Sequence, residues 1–153
     1  MSDGCLDGSW EWAHFREERH AYRFIENRLW PNGPICPRCS TSSRVGRLCG
    51  ASTRIGLYKC YECGKPFTVK IGTIFEGSHI PLHLWLQALY LIRLGRRAIS
   101  PFRLHRILGV TPRTAVYMVR RIQAARGPNS PRAEIDLGIK DGYDLAPATP
   151  NIR

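Results

Sequence analysis

The first regular pattern of apolar residues lies in "REERHAYRFIENRLWPNG" (16–33). Tyr22, Ile25 and Leu29 recur at helical spacing with charged residues between them, and Pro31 and Gly33 follow. The pattern predicts a helix, and we interpret residues 1–30 as an N-terminal helical segment. Because the net charge of this segment is negative, we do not expect it to be a DNA-recognition helix. We expect the helix to pack on the next part of the chain.

A second helical pattern begins at Pro81 and ends near Gly95. Its apolar residues share one face of the predicted helix. These residues are Leu82, Trp85, Leu89 and Ile92.

Two shorter helices follow. The first begins after the predicted cap Ser100 and ends at Gly109, and the second begins after Thr111 and runs to Gly127. Each has proline at its first position, where the missing N–H costs no hydrogen bond. Helix, the turn "LGVT", helix is typical of a helix-turn-helix, so we interpret residues 78–127 as a DNA-binding domain of this kind.

The last of these helices divides into two faces. Ala115, Val119 and Ile122 have the spacing of core residues. The candidate DNA contacts project elsewhere, with base readout expected from the first turn and phosphate contacts from the later arginines. These contacts are Arg113, Thr114, Tyr117, Arg120 and Arg121. A protein-binding bundle with a solvated basic face is the alternative.

Two residues at the turn modify this picture. Val110 is expected to fill the angle between the helices. His105 occupies a position where helix-turn-helix units usually have a small residue, so we expect the helices to be splayed there.

Between the two predicted helical regions, the pattern changes to short strand-like runs. "SRVGRL" and "TRIGLYKC" are separated by "CGAS", and "PFTVK" could add a third strand. We interpret residues 31–77 as a β-hairpin domain. The predicted fold class is therefore small α+β, with this hairpin flanked by an N-terminal helix and a C-terminal helix-turn-helix bundle.

Four cysteines in the hairpin region form two Cys-x-x-Cys pairs that are 20 residues apart, namely Cys36, Cys39, Cys60 and Cys63. This is close to the spacing of a zinc ribbon, in which a tetrahedral Zn²⁺ takes two thiolates from each of two tight turns. Gly64 suits the left-handed turn after the second pair, whereas Ser40 fits less easily after the first.

The zinc interpretation has three competitors. A redox site needs one Cys-x-x-Cys within a βαβ unit, and a catalytic zinc needs an open position or a Glu beside a His ligand. Structural disulfides are rare in reducing compartments. We therefore predict one structural Zn²⁺ held by the two pairs, with Cys49 as a thiol at the hairpin tip and Cys5 in a polar N-terminus.

The formal charge of +11 is segregated along the chain. Residues 77–133 contain 10 arginines and no acidic residue, whereas residues 1–35 and 134–153 each sum to −2. A solvated surface usually mixes both signs, so this block favours a polyanionic partner, and we expect double-stranded DNA.

The sequence predicts a soluble, cytoplasmic protein with no membrane partner and no small-molecule substrate. The N-terminus has no basic region followed by an apolar run, so no signal peptide is expected. The most apolar stretch, "IPLHLWLQALYLI", covers 13 residues, which is short of the ~20 that a membrane span needs.

Taken in order, several motifs resemble the N-terminal part of insertion-sequence transposases, in which a zinc ribbon and a helix-turn-helix precede a DDE catalytic domain. The resemblance runs from about Glu17 to Gln123. It rests on "WPNG", "CPRC", "CYEC", "FTVKIGTIF", "PLHLW" and "LGVTPRTA". It implies that Cys36, Cys39, Cys60 and Cys63 are zinc ligands, and that Pro112 to Gln123 is the DNA-recognition helix.

The end of the chain departs from that family. "AEID" (133–136) resembles the start of the catalytic domain, with Asp136 as the first metal-binding carboxylate, but the following 17 residues match nothing there. A DDE site needs three carboxylates that hold two divalent ions. We therefore expect residues 128–153 to be an irregular tail, and the chain to be truncated or frameshifted and catalytically inactive by itself.

The predicted function is sequence-specific binding to the ends of an insertion element, as the DNA-binding portion of a transposase. One alternative is a stand-alone regulator or inhibitor of transposition. Another is a zinc-ribbon adaptor that binds protein or RNA, which the acid-free arginine block disfavours. Full-length transposase and a second copy of the chain are further candidate partners.

Overall fold

The computed structural model describes residues 13–94 and 99–125. The predicted tail, Asp136 and Cys5 lie outside these ranges. The elements are α1 (Ala13–Arg16), α2 (Glu18–Leu29), β1 (Val45–Arg47), β2 (Tyr58–Cys60), β3 (Pro66–Phe67), α3 (Leu82–Leu94), α4 (Pro101–Leu108) and α5 (Pro112–Ala125). The predicted α+β class is confirmed. Helix α1 is an addition that the apolar pattern does not predict.

The three strands form one antiparallel sheet in the order β1-β2-β3. Gly46 pairs with Lys59, and Lys59 pairs with Pro66 on its other side. The strands are shorter than the apolar runs, and the third lies where it was predicted. Tyr58 and Phe67 are buried on one face of this sheet together with Cys36 and Cys60.

Helix α2 packs on the β-hairpin domain (residues 31–77, called the ribbon below) through Trp30, the residue that follows the helix. The Trp30 ring makes edge contacts with Tyr58 and Phe67, with centroids 5.4 and 5.8 Å away. Tyr22 and Ile25 of α2 are buried in a second, larger core. The expected packing of this helix on the ribbon is therefore found, and Trp30 lies where the two cores meet.

Helix α3 lies at the centre of the larger core. It contacts α1 and α2 as well as α4 and α5. Of its predicted face, Leu82, Trp85 and Leu89 are buried and Ile92 is partly buried. Leu86 and Ala88 are fully buried too. A helix with neighbours on several sides buries more than one stripe, which explains its apolar character.

A side chain from α2 caps the N-terminus of α3. The Glu18 carboxylate accepts hydrogen bonds from the backbone N–H groups of Leu82 and His83, at 2.8 and 3.1 Å. His83 Nδ1 lies 2.9 Å from the same carboxylate. The first N–H groups of a helix have no partner within the helix, and the helix dipole favours an anion there. Glu18, 64 residues before Leu82, therefore provides the hydrogen-bond acceptor for the first N–H groups of α3.

The segment between the sheet and α3 (71–80) is fixed by side chains on both sides of it. The Lys70 ammonium lies 3.4 and 3.5 Å from the carbonyl oxygens of Ser78 and Ile80, and burial lowers the pKa of Lys70. The indole N–H of Trp85 donates to the Ser78 hydroxyl at 3.1 Å. These bonds attach the ribbon to the helices through side chains as well as through the main chain.

Helix α4 begins and ends as the sequence predicts, and α5 begins as predicted, whereas its predicted end at Gly127 lies outside the described residues. Ser100 accepts a hydrogen bond from the Arg103 N–H, and Thr111 accepts one from the Thr114 N–H at 3.1 Å. Gly109 ends α4 in the left-handed conformation, with φ of 67°. This conformation costs glycine little and other residues more.

His105 reaches across the turn between these helices. Its Nδ1 lies 2.6 Å from the Val110 carbonyl oxygen, and the His105 side chain is half-buried. Val110 packs against the larger core, as predicted. The expected splaying of the helices at His105 stays a prediction.

Candidate metal centre and nucleic-acid interface

The two cysteine pairs converge at one end of the sheet. The Sγ atoms of Cys36, Cys39, Cys60 and Cys63 all lie within 4.8 Å of one another. Cys36 and Cys63 are 3.8 Å apart at sulfur, and Cys39 and Cys60 are 3.5 Å apart. In the described part of the chain, no other group of His, Cys, Asp or Glu side chains has the geometry of a metal site.

Each pair lies on the same kind of tight turn. The Cys36 N–H donates to the Thr41 carbonyl at 2.9 Å, and the Cys60 N–H donates to the Lys65 carbonyl at 3.1 Å. Both turns contain a left-handed residue directly after the second cysteine.

These residues are Ser40, with φ of 56°, and Gly64, with φ of 71°. Among the described non-glycine residues, Ser40 alone has positive φ. The expected poorer fit of Ser40 is therefore seen as a backbone conformation that non-glycine side chains rarely adopt.

The sulfur positions fit a tetrahedral ion. Zn–S bonds of about 2.3 Å require sulfur atoms roughly 3.8 Å apart, which matches the two closest pairs. Burial disfavours the Cys36 thiolate, but hydrogen bonds from the backbone N–H groups of Cys39 and Arg38 outweigh it. They lower the pKa of Cys36 to about 6. A thiolate is the form that binds metal, so the backbone favours the ligand state at Cys36. At Cys39 the backbone N–H of Thr41 favours the thiolate, but burial and the thiols of Cys60 and Cys36 outweigh it and raise the pKa of Cys39 to about 12.

Cys49 does not join the cluster. It is exposed and forms no disulfide. Its position near the hairpin tip agrees with the interpretation of a free thiol.

The outer face of α5 presents a basic stripe. Arg113, Tyr117 and Arg120 are exposed and lie within one narrow sector of the helix, because their positions differ by four and three residues. The opposite face is buried through Ala115, Met118, Val119 and Ile122. The predicted core residues of α5 are thus confirmed, and Met118 is added to them.

Comparison with known proteins identifies the metal-binding part of the chain. Residues 16–66 match the transposase zinc-ribbon domain. The four thiols are therefore its structural zinc site, with two buried and two accessible ligands.

The chain is also 30% identical, over 130 residues, to an uncharacterized protein in transposable element ISH50 of Halobacterium salinarum. The match covers 84% of this chain but 42% of the relative, so the chain spans less than half of that protein. No solved structure matches the chain. Together, the match to the zinc-ribbon domain and the relative in a transposable element support a transposase-related role. No helix in the described ranges has the length and apolar character needed to cross a membrane.

Arg121 differs from the other candidate contacts on α5. Its side chain is half-buried, and its guanidinium donates to the Glu76 carbonyl and to the Tyr117 hydroxyl. The Tyr117 ring also meets the buried Trp85 ring edge-on, with centroids 6.1 Å apart. Arg121 and Tyr117 therefore attach α5 to segment 71–80 and to α3, a role that helical spacing does not reveal.

Thr114 also has a structural partner. Its hydroxyl lies 2.8 Å from the Thr111 hydroxyl, and its N–H donates to Thr111. Arg113 and Arg120 are thus the two candidate contacts whose side chains extend most freely from α5.

Proposed function

We propose that the chain binds double-stranded DNA at the ends of a transposable element, as the DNA-binding portion of a transposase. Helices α4 and α5 act as the helix-turn-helix, and α5 enters the major groove.

One observation carries most of this proposal. The solvent-facing stripe of α5 consists of Arg113, Tyr117 and Arg120, with no acidic residue between positions 77 and 133. Such a stripe matches the negative charge of a nucleic-acid backbone. Thr111, Pro112 and Arg113, at the start of α5, are exposed, which supports a role of this turn in contacting DNA.

The relative in a transposable element supports the choice of target. A transposase-related protein must find the ends of its own element, and side chains in the first turn of a recognition helix read base edges. Arg113 is exposed in that turn, and arginine pairs with guanine through two hydrogen bonds. We therefore assign base readout to Arg113 and phosphate contact to Arg120.

The test compares Arg113→Ala with Arg19→Ala, an exposed arginine on α2. Anisotropy titrations use the element's terminal repeat and a scrambled duplex. Arg113→Ala is expected to lose about 1–3 kcal/mol of binding free energy for the terminal repeat and none for the scrambled duplex, because a contact to a base contributes this much. Arg19→Ala is expected to leave both affinities unchanged. An unchanged ratio of the two affinities in Arg113→Ala would exclude α5 as the reader and favour an adaptor that binds protein or RNA.

A further inference from the structure

The outer face of the ribbon sheet carries a group of residues to which the duplex-binding proposal gives no role. Gly46, Lys59 and Pro66 are direct neighbours across the three strands, so they point to the same side of the sheet. Tyr58 and Cys60, on the opposite side, are buried. We call the outer side, together with Tyr61, the Tyr61 face.

Tyr61 lies between two zinc ligands and is held in a defined position. Its N–H donates to the Arg44 carbonyl at 2.8 Å, and its side chain is 52% exposed. The ring lies against the bare backbone of Gly46. A Cβ added at Gly46 would come within 3.0 Å of Tyr61 Cε2 and 3.5 Å of its hydroxyl. Glycine at this position of β1 therefore leaves room for the tyrosine ring to pack on the backbone, and the rest of the ring is exposed to solvent.

One cation lies near this ring. The Lys59 ammonium lies 5.7 Å from the ring centroid. Arg44 lies 3.3 Å from the Glu62 carboxylate, so the nearby acidic group is already paired. Residues 36–76 contain seven basic and two acidic residues, which makes the ribbon basic as a whole.

We infer that the Tyr61 face is a stacking platform for an unpaired base of single-stranded DNA. An exposed aromatic ring that is fixed by the backbone loses little freedom when a base stacks on it, and a nearby cation neutralises the adjoining phosphate. Bases inside a duplex are already stacked on each other, so such a ring selects an unpaired nucleotide. This inference rests on the proposed function only in its choice of DNA as the polymer.

The first test measures binding of the zinc-loaded, full chain to a labelled oligothymidylate of about eight nucleotides, a length within the usual site sizes. Tyr61→Ala is expected to weaken binding about 5- to 150-fold, because stacking of one base is worth about 1–3 kcal/mol. Tyr61→Phe keeps the ring and is expected to keep the affinity. Ile35→Ala is the control for loss of an exposed apolar side chain, because Ile35 is 41% exposed and lies outside both the Tyr61 face and the helix-turn-helix. It is expected to bind like the wild type.

A second variant tests whether the packing of the Tyr61 ring on Gly46 matters for binding. Gly46→Ala leaves Tyr61 in the chain but requires its ring to shift by a few tenths of an ångström. We expect a loss of affinity smaller than that of Tyr61→Ala, with zinc content unchanged. Zinc content is measured for every variant, since Tyr61 is next to the ligand Cys60. If Tyr61→Ala loses zinc, NMR of the wild-type protein tests the inference instead. Stacking of a base must shift the Tyr61 ring-proton signals upfield when the oligothymidylate is added.

The outcomes separate this inference from the proposed function. If Tyr61→Ala binds the single strand normally, or if Tyr61→Phe fails as badly as Tyr61→Ala, base stacking on this face is excluded. Tighter binding of an oligoribonucleotide than of the DNA strand would also overturn it. Failure of the wild type on the duplex repeat, with the Tyr61 effect intact on the single strand, would overturn the proposed function alone.

Discussion

The guanidinium of Arg121 donates a hydrogen bond to the backbone carbonyl of Glu76, which lies 45 residues earlier in the chain. Glu76 belongs to the segment that joins the ribbon to α3, and Arg121 belongs to α5. The bond therefore connects the segment that follows the ribbon with the candidate recognition helix. The position of α5 relative to segment 71–80 depends on a side chain that the sequence alone presents as one more surface arginine.

Replacement of Arg121 should therefore affect stability as well as DNA binding. We expect Arg121→Ala to lower the free energy of unfolding by about 1–3 kcal/mol, because hydrogen bonds that involve a charged group contribute this much. Arg120→Ala, one residue away and exposed, should change it by less than about 0.5 kcal/mol. Urea denaturation of the zinc-loaded proteins measures both. Equal effects of the two variants would show that the bond to Glu76 contributes nothing.

The metal prediction separates ligand from non-ligand cysteines. Cys60→Ser is expected to lose zinc and the folded ribbon, because a segment this small has little apolar core and depends on the metal for much of its folding energy. Cys49→Ser is expected to retain both, because Cys49 is exposed outside the cluster. Metal analysis and circular dichroism report the outcome. Zinc that remained in Cys60→Ser, or was lost in Cys49→Ser, would contradict the assignment.

The sequence predicts what depends on near neighbours. The Cys-x-x-Cys turns, the caps Ser100 and Thr111, and the left-handed Gly109 each involve residues within five positions of one another, so a short window contains the whole interaction. These predictions are confirmed.

Contacts between distant elements could not be predicted in this way. Glu18 caps α3 from 64 residues away, and nothing in its own helix marks it among several glutamates. Arg121 has the helical spacing of a surface residue, yet the fold brings the Glu76 carbonyl to it. The full burial of Leu86 arises because α3 has neighbours on several sides, which one helix's pattern does not show.

Glu26 makes stability depend on pH. Burial raises the pKa of this carboxyl, and Arg47, a hydrogen bond from Tyr58 and Arg23 offset this only in part. Its Oε1 is buried without a hydrogen-bond partner. A carboxyl whose pKa is higher in the folded state favours folding below its unfolded pKa. It loses that contribution as the pH rises through the folded pKa.

We therefore expect Glu26→Gln to be more stable than the wild type at pH 8, since a neutral amide avoids burying the charge. The advantage should shrink as the pH falls and the wild-type carboxyl takes up its proton. Glu62→Gln, an exposed control whose partner is the arginine Arg44, should show no such trend. Thermal unfolding at several pH values, with zinc content checked at each, gives the comparison. An advantage that grew at lower pH would show that the shift has the opposite sign.

The last prediction concerns how the two neighbouring arginines of α5 contribute to DNA affinity. Each phosphate that a cation neutralises steepens the dependence of log affinity on log salt by about 0.9. Arg120 is exposed on the basic stripe, so Arg120→Ala should weaken binding to every duplex alike and flatten the slope by about 1. Arg121 already donates to Glu76 and Tyr117, so Arg121→Ala should flatten the slope less, although the helix is less firmly held. Anisotropy titrations at several salt concentrations, on the terminal repeat and on a scrambled duplex, measure both slopes. A full unit of flattening in Arg121→Ala would mean that its guanidinium leaves Glu76 and binds phosphate in the complex. A slope unchanged in Arg120→Ala would remove the outer face of α5 from the DNA interface.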